Sequence, residues 1–267
     1  MQGVCKICDQ KGELLLSHIL PKSYSKRMRQ GAPQVVAVTV EDPPKARKTN
    51  GENIERLLCK DCELLLKKKY EDYGTRLFVN RKLITENNDF VLIDNFRYEP
   101  YFLYVISILW RAAVSSFSSY KTIQGLSEFS VFFKPCIRKE TMTTPRLDNI
   151  KLDDFIKLTI LRITDPTNEI PQSTIDSMIL DINVERGDTI DEGFHCYFMV
   201  DGFLIITSIF PPQSAILANW HPHGLVLNQK YLRIPKVGYE KIKLLTEGFN
   251  AVRKSQNPFS IIDKIGK

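Results

Sequence analysis

A chain of 267 residues with 43% hydrophobic and 25% charged side chains has the makeup of a folded globular protein rather than a disordered one, and 15 Phe with 10 Tyr supply bulk for a large core. The longest apolar run, around residues 101–114, is cut by Arg111 and followed by serines at 115, 116, 118 and 119, which leaves no uninterrupted span of about 20 apolar residues to cross a membrane. The net charge of +6 is lopsided: residues 1–82 carry 17 Lys and Arg against 10 Asp and Glu, a surplus of +7, while residues 83–267 sum to −1, so a polyanion such as nucleic acid is the expected partner.

In chain order, residues 1–16 read as a Cys-x-x-Cys knuckle followed by a short strand, with Gly12 at the turn and Glu13–Leu16 leading into Ser17-His18. His18 therefore falls at a strand end. No apolar segment with a cleavage site opens the chain, so no secretory signal is expected and a cytoplasmic location is inferred. The spacing predicts a helical turn over Tyr24–Gln30 and an exposed basic loop over Pro43–Gly51. Apolar positions at Leu64, Leu65, Leu66, Tyr70 and Tyr73 predict a helix from the second knuckle to Gly74. Further on, helices are predicted at Tyr101–Tyr120, opened by Pro100, and at Asp153–Ile163. Strands are expected at Met178–Val184, Phe194–Val200 and Phe203–Phe210, the last two joined by the hairpin signal Asp201-Gly202. A strand near Tyr231–Ile234 and an amphipathic helix over Tyr239–Arg253 complete the pattern. The fold class is therefore α+β, divided into residues 1–82 and an α+β domain of residues 83–267, expected to combine helices with an antiparallel sheet. The second region would serve partner binding, dimerisation or sensing.

Six cysteines are present, four of them in the pairs Cys5/Cys8 and Cys59/Cys62. Two such pairs complete the four-thiolate tetrahedral shell of a structural Zn²⁺ site, with no position left open for a substrate water; disulfides or buried thiols are the alternative. Cys136 and Cys196 stand alone in apolar surroundings and read as buried hydrophobes. His221-Pro222-His223, with His195, offers imidazoles for a second metal, but no acidic or thiol ligand stands close by, and the segment reads as a loop anchored by Trp220. Arg111, inside an apolar helix, reads as a buried ion-pair partner.

The order knuckle, strand, histidine, basic loop, asparagine, knuckle, helix resembles the HNH branch of the ββα-metal nucleases over residues 1 to about 75. The segments Ser17-His18-Ile19-Leu20-Pro21-Lys22, Leu57-Leu58-Cys59 through Cys62-Glu63, and Ile108-Leu109-Trp110-Arg111-Ala112 are similar to those of bacterial HNH-like proteins. The resemblance implies a zinc-stapled, treble-clef-like ββα-metal module. His18 would be the general base, Asn53 would orient it, and Glu63 would ligate a catalytic Mg²⁺ or Mn²⁺. Lys22, Arg47, Lys48, Lys60, Lys67 and Lys68 would contact phosphates without reading sequence. Ser17 departs from the family, which usually has Asp or His as metal ligand there, and Glu63 at a helix start could instead stabilise the helix dipole. The implied activity is hydrolysis of DNA phosphodiesters, in anti-phage defence or a mobile element. The rival is a non-catalytic zinc module that holds nucleic acid or a partner protein. Homo-oligomerisation through the second region is a further expectation.

Overall fold

The computed structural model describes residues 1–29, 34–39, 45–50, 52–80, 82–145, 150–211, 213–219, 225 and 230–254. The segment Trp220-His221-Pro222-His223 lies outside them, as do residues 43, 44 and 51 of the expected loop.

Residues 2–74 contain β1 (Gln2–Val4), β2 (Lys11–Glu13), β3 (Leu15–His18), α1 (Lys22–Met28), β4 (Val35–Thr39), β5 (Lys45–Thr49), β6 (Ile54–Leu58) and α2 (Lys60–Leu66). A π-helical stretch, Lys67–Glu71, and a last turn, Asp72–Gly74, extend α2 without a break. Packing holds position 74 to glycine, since a Cβ there would collide with the Tyr104 ring. After it come β7 (Ile84–Glu86), β8 (Phe90–Asp94), α3 (Tyr98–Val114), α4 (Ser130–Lys139), β9 (Ile156–Thr164), β10 (Met178–Arg186), β11 (Phe194–Val200), β12 (Phe203–Ile209), β13 (Tyr231–Gly238) and α5 (Lys243–Lys254).

The architecture is mixed α+β around one nine-stranded sheet, ordered β5-β4-β10-β11-β12-β9-β13-β8-β7. Its pairs are antiparallel except β4 with β10 and β9 with β13, which run parallel. Alternation along β11 feeds two cores: Cys196, Phe198 and Val200 face the cluster built around α3, whereas Tyr197 and Met199 face the one containing Leu245, Phe249 and Val252 of α5. The β11–β12 hairpin closes at Asp201 and Gly202, both with positive φ (52° and 71°), as an Asp-Gly two-residue turn requires. Cys136 and Cys196 are free, fully buried thiols, and burial pushes them up to about 11 and about 12, so they pack as apolar groups. Among the described residues no single helix is long and apolar enough to cross a membrane; α3 has 17 residues and is buried for nearly its whole length.

Two sequence expectations are corrected. The segment Ile156–Thr164, expected as part of a helix over Asp153–Ile163, is a central strand; only Leu152–Phe155 is helical. Its β-branched Ile156, Thr159, Ile160, Ile163 and Thr164 suit a strand, and cover on both faces blurs the alternation that would have marked it. The expected basic loop holds an edge strand instead: Lys45–Thr49 pairs with Val35–Thr39, carrying Arg47 and Lys48 into the sheet. The sheet thus takes two of its strands from residues 1–82 and seven from residues 83–267.

Candidate metal centre and the histidine beside it

The β1–β2 ribbon turns through the first knuckle, closed by Cys5 N donating to Gln10 O (3.0 Å) and Asp9 N to Cys5 O (3.0 Å), with Asp9 at a φ of 62°. Lys6 N donates to Leu57 O (3.0 Å), tying this knuckle to the end of β6, where the second begins. Cys59 caps α2 and Cys62 is its third residue, so the second pair sits at a helix N-terminus, where the dipole favours thiolates.

The four Sγ atoms all lie within 4.8 Å of one another, and Cys8 Sγ is 3.8 Å from Cys59 Sγ. A disulfide would need about 2.05 Å. Four sulfurs about 2.3 Å from a central Zn²⁺ stand about 3.8 Å apart, so the separation and the all-thiol donor set fit an ion such as zinc. Burial opposes ionisation of Cys5, but backbone N–H groups of the knuckles overcome it and bring the thiol down to about 7; burial and the neighbouring sulfurs drive Cys62 the other way. Four thiolates this close require a cation to coexist.

From this staple β3 and β6 run antiparallel, His18 opposite Ile54, and α2 packs beside them to give a strand-strand-helix unit. Ser17 is fully buried and its hydroxyl donates to Glu63 Oε1, so Glu63 reaches across from the helix to the strand instead of folding back on its own N-terminus. Burial raises the Glu63 carboxyl above the usual range, against the lowering effects of Ser17 and Arg111. His18, one residue further, is about a quarter exposed, and its Nε2 is buried with no hydrogen-bond partner among the described residues. The nearest acid is Glu52, 3.7 Å from Nε2 and itself paired with Arg29 at 3.1 Å. Burial keeps the imidazole below its ordinary value of 6.5, with Lys22 and Arg111 adding to the effect and Glu52 and Glu71 opposing it. The neutral imidazole is therefore favoured.

Residues that sequence reasoning did not place here complete the cluster. Arg111, a fully buried residue of α3, donates through Nη1 to His18 O (2.7 Å) and to Glu71 Oε1 (2.6 Å). Glu63 and Glu71 are eight residues apart, which on a regular helix turns them about 80° from one another; the extra residue of a π turn reduces this to about 20°. The π stretch Lys67–Glu71 supplies that residue, and the charge of Glu71 acts on both Glu63 and His18.

Asn53 takes a different position. Its main-chain oxygen accepts from Ile19 N (3.0 Å), but its side-chain amide donates to Tyr120 Oη (2.6 Å), beside Arg47, Thr49 and Asp181. Arg47 faces this same small cavity and pairs with Asp181 at 3.5 Å, while Lys48, next along the strand, belongs with Ala46 on the opposite face. Lys22, Lys60, Lys67 and Lys68 are exposed; among these only Lys22 acts on His18. No protein-family model, curated protein or solved structure matches this chain.

Proposed function

We propose that the chain is a metal-dependent HNH-type nuclease that hydrolyses DNA phosphodiesters, its His18 acting as general base. One observation carries this reading: the strand-strand-helix unit pinned by four converging thiols holds a neutral imidazole one residue from the Ser17–Glu63 contact, the two positions at which the resembled nucleases carry metal ligands. In the proposed reaction the His18 imidazole takes a proton from the water that attacks phosphorus, and the P–O bond to the leaving oxygen breaks in line. Glu52, 3.7 Å away, stabilises the imidazolium that results, and Arg111 fixes the His18 main chain. Mg²⁺ sites commonly use one or two carboxylates, with water and substrate phosphate filling the remainder. Glu63, with Ser17 Oγ adjacent, meets that minimum; the ion would offset charge on the phosphate and leaving oxygen. Exposed Lys22, Lys60, Lys67 and Lys68 would hold the backbone without reading bases.

Plasmid nicking tests this. With Mg²⁺ or Mn²⁺ the wild type should relax supercoiled DNA; His18→Ala and Glu63→Gln should each slow it about 100-fold or more, a range typical of lost general-base or metal assistance. Glu63→Gln should fold at least as stably as wild type at pH 7, because the ionised carboxyl is disfavoured by burial and the amide keeps a partner in Ser17. Nicking unaffected by His18→Ala would exclude the assignment. Engagement of Asn53 with Tyr120, and a neutral hydroxyl at Ser17, favour the second reading of a non-catalytic zinc module that binds nucleic acid. Retained DNA binding without cleavage by any divalent ion would select it.

A pH profile gives a second check. Because the folded pKa of His18 lies below 6.5, the base is available throughout the neutral range, and the acid limb of the rate should fall below that value. The linked stability has the same sense: His18 contributes fully above about pH 6.5, and the contribution is lost as pH falls through the folded pKa. An acid limb above 6.5 would point to another group as base.

A further inference from the structure

The ends of β10, β11 and β12 and the start of α4 border a cavity of about 350 Å³, none of whose lining residues belongs to the thiol cluster. Its walls are almost wholly apolar, with Phe129, Phe132, Phe194 and Phe210 among them, and Ile190 stands 80% exposed at its rim. Arg186, the last residue of β10, is the single charged residue in the lining.

Arg186 has no ion pair or hydrogen bond from its side chain among the described residues, although acids surround it in sequence. Three of those acids are engaged elsewhere: Glu185 accepts from Tyr197 Oη (2.9 Å), Glu192 from Asp188 N (2.9 Å), and Asp191 from Ala215 N (3.2 Å); the fourth, Asp188, is exposed and its carboxylate pairs with no cation among the described residues. An aromatic-walled hollow of this size with one convergent cation has the makeup of a small-ligand site, where the apolar body supplies affinity and the polar group fixes orientation. We propose that this cavity binds a small amphipathic carboxylate, its apolar body among the phenylalanines and its anionic end at Arg186. Arg186 is exposed at the mouth of the cavity, so a neutral ligand would leave it solvated and gain nothing from it, while a cationic one would meet it as a like charge. The proposal is independent of any catalytic role for His18.

Calorimetric titration of the full-length, zinc-loaded protein with sodium decanoate, kept below its micellar range, provides the test, with decanol and decylamine as uncharged and cationic controls. Decanoate should bind at one site, about tenfold or more tighter than decanol and decylamine. The exposed change Arg186→Gln should erase that preference while leaving thermal unfolding unchanged, and Phe132→Ala should weaken decanoate and decanol alike. Equal affinity for all three compounds, an unaltered preference in Arg186→Gln, or no saturable binding of decanoate would overturn the proposal. So would a concentration-dependent dimer that Phe132→Ala dissociates and decanoate does not displace, since the face would then belong to a second copy of the chain.

Discussion

One zinc ion per chain is expected in protein purified without chelators, and its removal, or the substitution Cys62→Ser, is expected to unfold the segments 2–18 and 54–66 while the centre of the nine-stranded sheet persists. The unequal outcome follows from what holds each part. The ribbon β1–β2 pairs three residues with three, and β3–β6 is scarcely longer; two-stranded units of that size are marginal in water. Structural zinc supplies about 10–16 kcal/mol of apparent binding energy in zinc-finger peptides, more than such ribbons can replace. Strands β9 to β12, by contrast, pair along seven residues at two junctions and are covered on both faces. Hydrogen exchange before and after chelation, with elemental analysis for the ion, checks this. Protection that survives unchanged over residues 2–18 once zinc is gone would show that the thiols do not hold the module.

This contrast also explains what could be read in advance. Spacing made the thiol cluster legible, because two Cys-x-x-Cys pairs state both ligand type and coordination number. Asp201-Gly202 specified its hairpin through the positive φ such a turn needs, and the apolar density of residues 101–114 marked the core helix. Strand β9 was hidden because both of its faces are covered, and its apolar residues satisfy helical and strand spacings alike. On β5 the charges Lys45, Arg47 and Lys48 disguised an edge strand, where exposed charge also discourages pairing with another chain. The charged groups beside His18 were illegible for another reason. Glu52 reaches the imidazole from just before β6, Arg111 enters from a helix 93 residues away, and Glu71 arrives only because the helix widens over Lys67–Glu71. None of these relations is local.

The pair Arg111–Glu71 should be among the largest single contributors to stability outside the metal. Arg111 is 1% exposed, and its Nη1 is shared between Glu71 and the His18 carbonyl, so Glu71→Ala would strand a cation where water does not reach. Breaking a buried pair from one side costs about 3–5 kcal/mol, whereas replacing both partners by apolar groups is often nearly neutral. Urea unfolding should therefore show Glu71→Ala destabilised by about that amount and Arg111→Met/Glu71→Leu recovering most of it. Glu71→Gln should fall between, since its amide oxygen still accepts from Arg111. The same pair adds to the charge felt by His18, behind burial, Glu52 and Lys22, and here the two halves act in opposite directions. Glu71 raises the imidazole pKa and Arg111 lowers it, so NMR titration should find His18 titrating at lower pH in Glu71→Gln and at higher pH in Arg111→Met. Shifts of the same sign in both variants would mean that substitution had rearranged the loop and that Arg111 acts on His18 only through packing. Opposite shifts would instead make the buried pair the electrostatic link between the core helix and the histidine at the end of β3.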